Sequence, residues 1–444
     1  FSVGLGLTAV MTLRAPAAMA GSLVLTGGSW AFPGSGGESE PYGISIYEEI
    51  VERAGGLDNA KIGIISTASS RPERSAGFYL EDFDILYGEA ADVEWIPITV
   101  DTCAAYKNDD GSDIVSQINS RNSFIFTGGD QSFITDCFFN EDPATATRTD
   151  TALLTALQAQ FAAGAVIAGT SAGTAVQPVD PMITNGETYE ALRDGPVSFI
   201  GSPPFDNTLY YNPLGGLGFF DLGLIDSHFS ERGRQGRQIR LAADLGVEMT
   251  YGIDENTALI VNEDGQLDVL GEGGVFISDL SQAKVGEKNG YWSIEGVLAT
   301  YLTEGDRYDP LTKTASFSEK ALLTTPAISE VPFSDNIFSY FDDDLGGWTD
   351  PRAFTETAIA LFESSATTAL GQSFESDPTY GVTLTQKSFA QGYLGLDSQG
   401  ELKVSFTNLT VDIAPVSEPR TVLSLMSVGL LGLLVRRYPH REVN

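Results

Sequence analysis

Ala165-Val166-Ile167-Ala168-Gly169-Thr170-Ser171-Ala172-Gly173 reads as a short buried strand running into a Gly-x-Ser-x-Gly turn. The glycines let the chain reverse from strand to helix without Cβ clashes, and the reversal lifts the serine over the end of a sheet. A helical pattern from about Thr149 to Ala163 precedes this strand. Further upstream, apolar runs at Ser22–Thr26, 61–67, 93–98 and 123–127 alternate with helix-spaced segments at 44–54, 77–88 and 114–118. That alternation predicts an α/β fold, a mostly parallel sheet with helices on both faces and a nucleophile elbow. In such sheets, sites form at the carboxyl ends of strands, where Gly128-Gly129-Asp130-Gln131 and the Ser171 turn both fall. Beyond about Thr314 helical spacing thins, apart from 354–362, and strand-like runs such as 380–384 and 402–413 take over. The chain therefore divides into a hydrolase-like unit, 21–314, and a β-rich C-terminal appendage, 315–415.

A serine hydroxyl attacks an acyl carbon usefully only beside a base, and imidazole suits that role at neutral pH. The chain has two histidines. His440 lies in a basic tail, which leaves His228, in Asp226-Ser227-His228-Phe229, as the candidate base. A triad also needs an acid to hold the imidazole. Asp226, two residues away on the same strand, and Glu255, in Gly252-Ile253-Asp254-Glu255-Asn256, are both candidates. The amides of Ala172 and Gly129 are candidate oxyanion donors, and Gln131 a substrate-orienting group. Gly128 to Gln131 read equally as a turn in which Asp130 caps a helix. Arg232, Arg234, Arg237 and Arg240 form a cationic island after His228, suited to clamping substrate carboxylates or to pairing with the protein's own acids.

Net charge of −35 opposes nucleic acid and acidic membrane surfaces as partners. It suits solubility outside the cytoplasm, or attraction of an arginine-rich polymer. Residues 1–20 are apolar and end in Ala18-Met19-Ala20, so they read as a signal peptide lacking its basic start. At the other end, 416–444 holds Ser417-Glu418-Pro419, an apolar run from Thr421 to Val435, and Arg436-Arg437. That order of parts resembles the bacterial Pro-Glu-Pro sorting signal, with Ser417 in place of the first proline. Export is expected, with attachment to a membrane or cell surface through this tail. Cys103 and Cys137 either pair or stay as buried thiols. No Cys/His cluster suggests a metal, and the sequence is compatible with a homodimer.

Together, Gly128 to Gln131, Gly169 to Gly173, Asp226-x-His228-Phe229-x-x-Arg232-x-Arg234-x-x-Arg237 and Asp254-Glu255-x-Thr257-Ala258 resemble the cyanophycinases. They are similar, more loosely, to the aspartyl dipeptidases of the same serine peptidase family. Thr67-Ala68-Ser69-Ser70-Arg71-Pro72 and Gly305-Asp306-Arg307-Tyr308-Asp309 also resemble cyanophycinase segments, so the likeness spans about 22–313. It implies exopeptidase-type hydrolysis of cyanophycin, a poly-aspartate bearing arginine on each side chain, to β-Asp-Arg dipeptides, with no metal or organic cofactor. It places the nucleophile on Ser171, the base on His228 and the acid on Glu255 rather than Asp226. Gln131, Asp226, Ser227, Arg232, Arg234 and Arg237 fall on the substrate pocket. Ser227 stands where the family commonly has glutamine, which bears on substrate fit. Two other functions are consistent with the residues: a peptidase for other aspartyl or isoaspartyl peptides, or a non-catalytic acidic surface protein that binds polymer through 315–415.

Overall fold

Alternate residues of the strand Ser22–Thr26 part to opposite sides of a sheet, Leu23 and Leu25 into one buried cluster and Val24 into another. The computed structural model describes residues 21–416 except 180, 328 and 343. The segment 1–20, expected to be a signal peptide, and, apart from Val416, the tail 416–444 with His440 lie outside the described residues.

A nine-stranded sheet runs in the order 314–317, 306–309, 267–271, 257–261, 22–26, 166–170, 123–126, 61–65, 92–95. The last five of these pair in parallel and the others antiparallel, so the predicted parallel half is present. One face packs on the helix Glu40–Arg53, through Ile46, Tyr47, Ile50 and Val51, and on Pro72–Tyr87. The other packs on Asp113–Asn119, Gln131–Phe138 and Ala152–Ala162. Both faces are thus covered, which explains why the interior parallel strands are mostly apolar, unlike the edge strand Asp92–Trp95. Pro72 opens its helix, where a missing amide hydrogen costs nothing, so that helix starts before the apolar spacing begins. Cys103 and Cys137 form a disulfide, with Cα atoms 5.6 Å apart, tying a loop to the helix Gln131–Phe138.

A second, eleven-stranded sheet carries Leu224–Asp226 at its edge, then Met249–Ile253, Gly274–Asp279 and Tyr291–Thr303. The C-terminal region is β-rich, as its pattern predicts, and it continues this sheet. Leu402–Pro415 lies antiparallel along Tyr291–Thr303, with Ile294 opposite Ile413 and Tyr301 opposite Phe406. Tyr380–Thr385 and Thr368–Gln372 extend it further. Pairing on both sides leaves Tyr291–Thr303 no unsatisfied edge. One core follows from this, in which Phe276 and Tyr301 pack with Phe354 and Phe406 from the C-terminal region.

Candidate active site

Ser171 follows the strand Val166–Thr170 with φ 54° and ψ −114°, a conformation that non-glycine residues rarely hold. Its turn closes because Gly169 and Gly173 lack side chains. A Cβ on Gly173 would lie 2.0 Å from the Phe126 carbonyl oxygen, and one on Gly169 2.3 Å from that of Gly173. Ser171 O then accepts from the amides of Thr174 and Ala175.

His228 comes from the other sheet, two residues past the strand Leu224–Asp226, and also has positive φ, 47°. Its amide donates to Gly27 O at 2.7 Å, and its ring lies against Gly28, where a Cβ would be 2.1 Å from the imidazole. Imidazole Nε2 is 2.7 Å from Ser171 Oγ, and Nδ1 is 2.6 Å from Glu255 Oε1. Glu255 follows the neighbouring strand Met249–Ile253. Its amide donates to Glu231 Oε2 at 3.1 Å, and Ser29 hydrogen-bonds its carboxylate. The chain then crosses to the first sheet, with Asn256 N–H on Gly28 O and Gly27 N–H on Thr257 O.

Electrostatics suit this arrangement. Burial pushes the His228 imidazole down to about 4, opposed by its hydrogen bond to Glu255 and reinforced by Arg232 and Arg234. Burial works against ionisation of Glu255, but the His228 hydrogen bond and charge interaction hold its carboxyl below the ordinary range. A carboxylate therefore faces a neutral ring, which fixes the proton on Nδ1 and leaves Nε2 free to accept from the serine hydroxyl. That set of groups can deprotonate an alcohol as it attacks.

Asp226 is not the acid beside the imidazole. The strand ends at Asp226 and the left-handed turn at His228 breaks the two-residue alternation on which a shared face depends. Asp226 instead takes Arg237 in a two-pronged contact, Nε to Oδ2 at 2.8 Å and Nη2 to Oδ1 at 2.7 Å, with Arg234 at 3.3 Å. These guanidiniums hold its carboxyl below the usual range despite complete burial.

Ser171, Gly129, Ala172, Gln131, Asp226, Ser227, His228, Arg232, Arg234 and Arg237 line one cavity of about 230 Å³. Gly129 sits against Ala68 O, 2.0 Å from where a Cβ would be, so no other residue fits there. Asp130 does cap the helix Gln131–Phe138, accepting from Ser132 N–H at 2.8 Å, so the turn and the cavity wall are the same residues. Gln131 Nε2 donates to Ile183 O and Thr184 O, which leaves only its carbonyl oxygen for a ligand. Ser227 O accepts from Arg234 Nη1 at 2.7 Å. Burial and the Arg237 charge depress Arg234 to about 9, and Nε of both Arg232 and Arg234 is buried without a partner. Arg240 is elsewhere, paired with Asp244. Among the described residues, no group of three or more His, Cys, Asp or Glu side chains is placed to hold a metal ion.

Five neighbours escape sequence reasoning: Ser29 and Glu231 at Glu255, Arg352 on Glu231, Trp348 beneath Arg232, and Phe205, fully exposed at the cavity. Glu231 lies within the Asp226 to Arg237 motif as a possible partner for a neighbouring backbone amide, whereas Ser29 lies outside every motif named. Nothing local marks Arg352 or Trp348.

The model of peptidase family S51 matches residues 31–269. The cyanophycinase of Synechococcus elongatus is 28% identical over 281 residues, 62% of this chain and 77% of that protein. The cyanophycinase of Geminocystis herdmanii is 28% identical over 281 residues, 62% of this chain and 91% of its own length. A solved crystal structure of a peptidase from an acI-B1 Actinobacterium superposes with a TM-score of 0.42 at 18% identity, covering 66% of this chain and 98% of that one. The matched segment holds Ser171, His228, Glu255 and every cavity residue discussed, and the chain belongs to peptidase family S51.

Proposed function

We propose that this protein is an exported serine-type hydrolase that cleaves cyanophycin to β-Asp-Arg dipeptides. The reading rests on one observation, the unbroken hydrogen-bonded series Ser171–His228–Glu255 at the wall of an arginine-lined cavity. Ser171 Oγ attacks a backbone carbonyl while His228 Nε2 takes its proton, and Glu255 steadies the imidazolium. The amides of Gly129 and Ala172 hold the oxyanion, a contribution of about 3 kcal/mol per donor in such sites. The imidazolium then protonates the departing amine. Water, deprotonated by the same ring, releases the acyl group and restores the serine. Arg232, Arg234 and Arg237 receive substrate carboxylate, since all three line the cavity beside Ser171. The acidic exterior, with net charge −35, draws in the arginine side chains of the polymer. The Cys103–Cys137 disulfide supports export, since such bonds persist in oxidising compartments.

The same carboxylate-binding cavity favours a second reading, a peptidase for short aspartyl or isoaspartyl peptides. Purified Ser171→Ala tests the chemistry, and wild-type release of β-Asp-Arg by it would refute the proposal. Turnover of cyanophycin against Asp-X dipeptides separates the two substrates, and faster turnover of the dipeptides would favour the second. Recovery of the full chain from the cytoplasmic fraction alone would refute export.

A further inference from the structure

We infer that Arg352, in the C-terminal region beyond the family match, is a positioning residue for the Ser171–His228–Glu255 series. The inference rests on the function proposed above and extends it to a part of the chain that the match at 31–269 does not reach.

Arg352 has φ +68° and precedes the helix Ala353–Glu363. Its backbone amide donates to Ser230 O at 2.8 Å, two residues after His228. Its guanidinium spans two carboxylates. Nη1 reaches Glu231 Oε1 and, at 3.0 Å, Asp254 Oδ2, while Nη2 donates to Tyr301 Oη at 2.8 Å. Glu231 uses its other oxygen on the amide of Glu255, and Asp254 uses its other oxygen on the amide of Ser230 at 3.0 Å. Each carboxylate therefore joins Arg352 to one of the two catalytic loops.

The two acids cannot hold these positions alone. Asp254 is wholly buried, and burial together with the Asp254 charge raises Glu231, with Arg352 opposing. With the guanidinium in place Glu231 is already raised to about 7; without it the two close carboxylates repel more strongly, and Glu231 stays protonated at neutral pH or turns away. In both cases its grip on the Glu255 backbone weakens and the carboxylate shifts from Nδ1 of His228. A displacement of about 1 Å at a catalytic group is enough for a hundredfold loss of rate.

The neighbourhood of Arg352 is shaped for this. Thr355 Oγ1 is 2.6 Å from Ser230 Oγ and accepts from Gln235 Nε2, and a Cβ on Gly233 would lie 1.5 Å from Phe338 O. Trp348, on the strand Gly347–Thr349, faces the Arg232 guanidinium at 5.5 Å. The segment 338–355 is thus fitted to the loop that carries the candidate base and the substrate arginines.

The test uses the full chain and cyanophycin, with kcat expressed per Ser171 titrated by a phosphonylating serine probe. Arg352→Met is expected to lower kcat roughly 10- to 100-fold, leave KM within about twofold, and move the His228 step of the kcat/KM acid limb to lower pH. Arg352→Lys, which restores the charge, is expected to recover part of kcat. Unchanged kcat and acid limb in folded Arg352→Met would overturn the inference. If that variant does not fold, Glu231→Gln decides, because it leaves Arg352 on Asp254. A kcat loss of about threefold or more supports the role, and wild-type kcat refutes it. Activity in Ser171→Ala would instead remove the proposed function itself. An inactive Ser171→Ala beside a fully active Arg352→Met would remove only this inference.

Discussion

Ser171 leaves the nine-stranded sheet from an interior strand, paired on one side with Ser22–Thr26 and on the other with Ser123–Phe126. His228 leaves the eleven-stranded sheet from its edge strand, Leu224–Asp226, and Glu255 from the strand beside it. The two supports differ in kind. The nucleophile turn is held by ladders on both sides and by glycines within two residues of Ser171. The His228 and Glu255 loops are held by long-range contacts: Gly27 and Gly28 from the first strand, the Asp226–Arg237 pair, and Arg352. The elbow is therefore a local device, whereas the proposed base and acid meet only if both sheets dock correctly. Damage to the second sheet should disable chemistry while leaving the first intact.

Three experiments probe that contrast beyond the serine and arginine variants above. Glu255→Gln carries the largest expected effect. Loss of the carboxylate removes what orients the ring and balances its charge, so kcat should fall about 10⁴-fold. Steady-state rates check this, and a loss below tenfold would mean that the second sheet contributes little. Gly28→Ala comes next. It forces a Cβ to within 2.1 Å of the imidazole at a residue with φ +109°, so the ring must shift relative to Ser171. A loss of about 10²-fold in kcat is expected, with the rest of the first sheet unchanged by circular dichroism. Wild-type kcat would show that the ring position tolerates the docking of the two sheets.

The smallest effect is on the pH profile. Only the neutral ring acts as base, and His228 in the folded protein titrates near 4 rather than 6.5. The His228 step of the kcat/KM acid limb should thus fall near pH 4, below a separate step near 7 from Glu231. Complete loss of activity by pH 5.5 in both wild type and Glu231→Gln would mean an imidazole open to water. Linkage has the sign expected of a depressed value. The unfolded chain takes up this proton below about 6.5 and the folded one not until about 4. The His228 contribution to stability is complete above 6.5 and is lost as pH falls through that window.

Much of the first sheet was legible because its strands are buried on both faces and its helices present one apolar stripe. Ser22–Thr26 and the helix around Ile46 to Val51 fall where the spacing predicts. The strand predicted at 93–98 ends at Trp95, before Pro97, which has no amide to donate to a ladder. Strand runs at 380–384 and 402–413 were legible, but how the antiparallel half of that sheet and the second sheet pair was not, since period-two runs do not name their partners. Asp226 and Glu255 were equal candidates for the acid by residue type. The family resemblance placed the acid on Glu255, and the backbone turn at His228 supplies the physical reason.

The sequence alone determined the chemistry on offer, namely one hydroxyl on a glycine-flanked turn, one usable imidazole and a cluster of guanidiniums, because side-chain identity and short-range spacing are local properties. The tertiary structure decided which carboxylate meets the ring, that Asp226 orders arginines instead, and that Arg352 stands behind Glu255. Those outcomes depend on how two sheets dock and on which buried charges find counter-charges, for Arg352 98 and 121 residues away, and nothing in the local pattern encodes that.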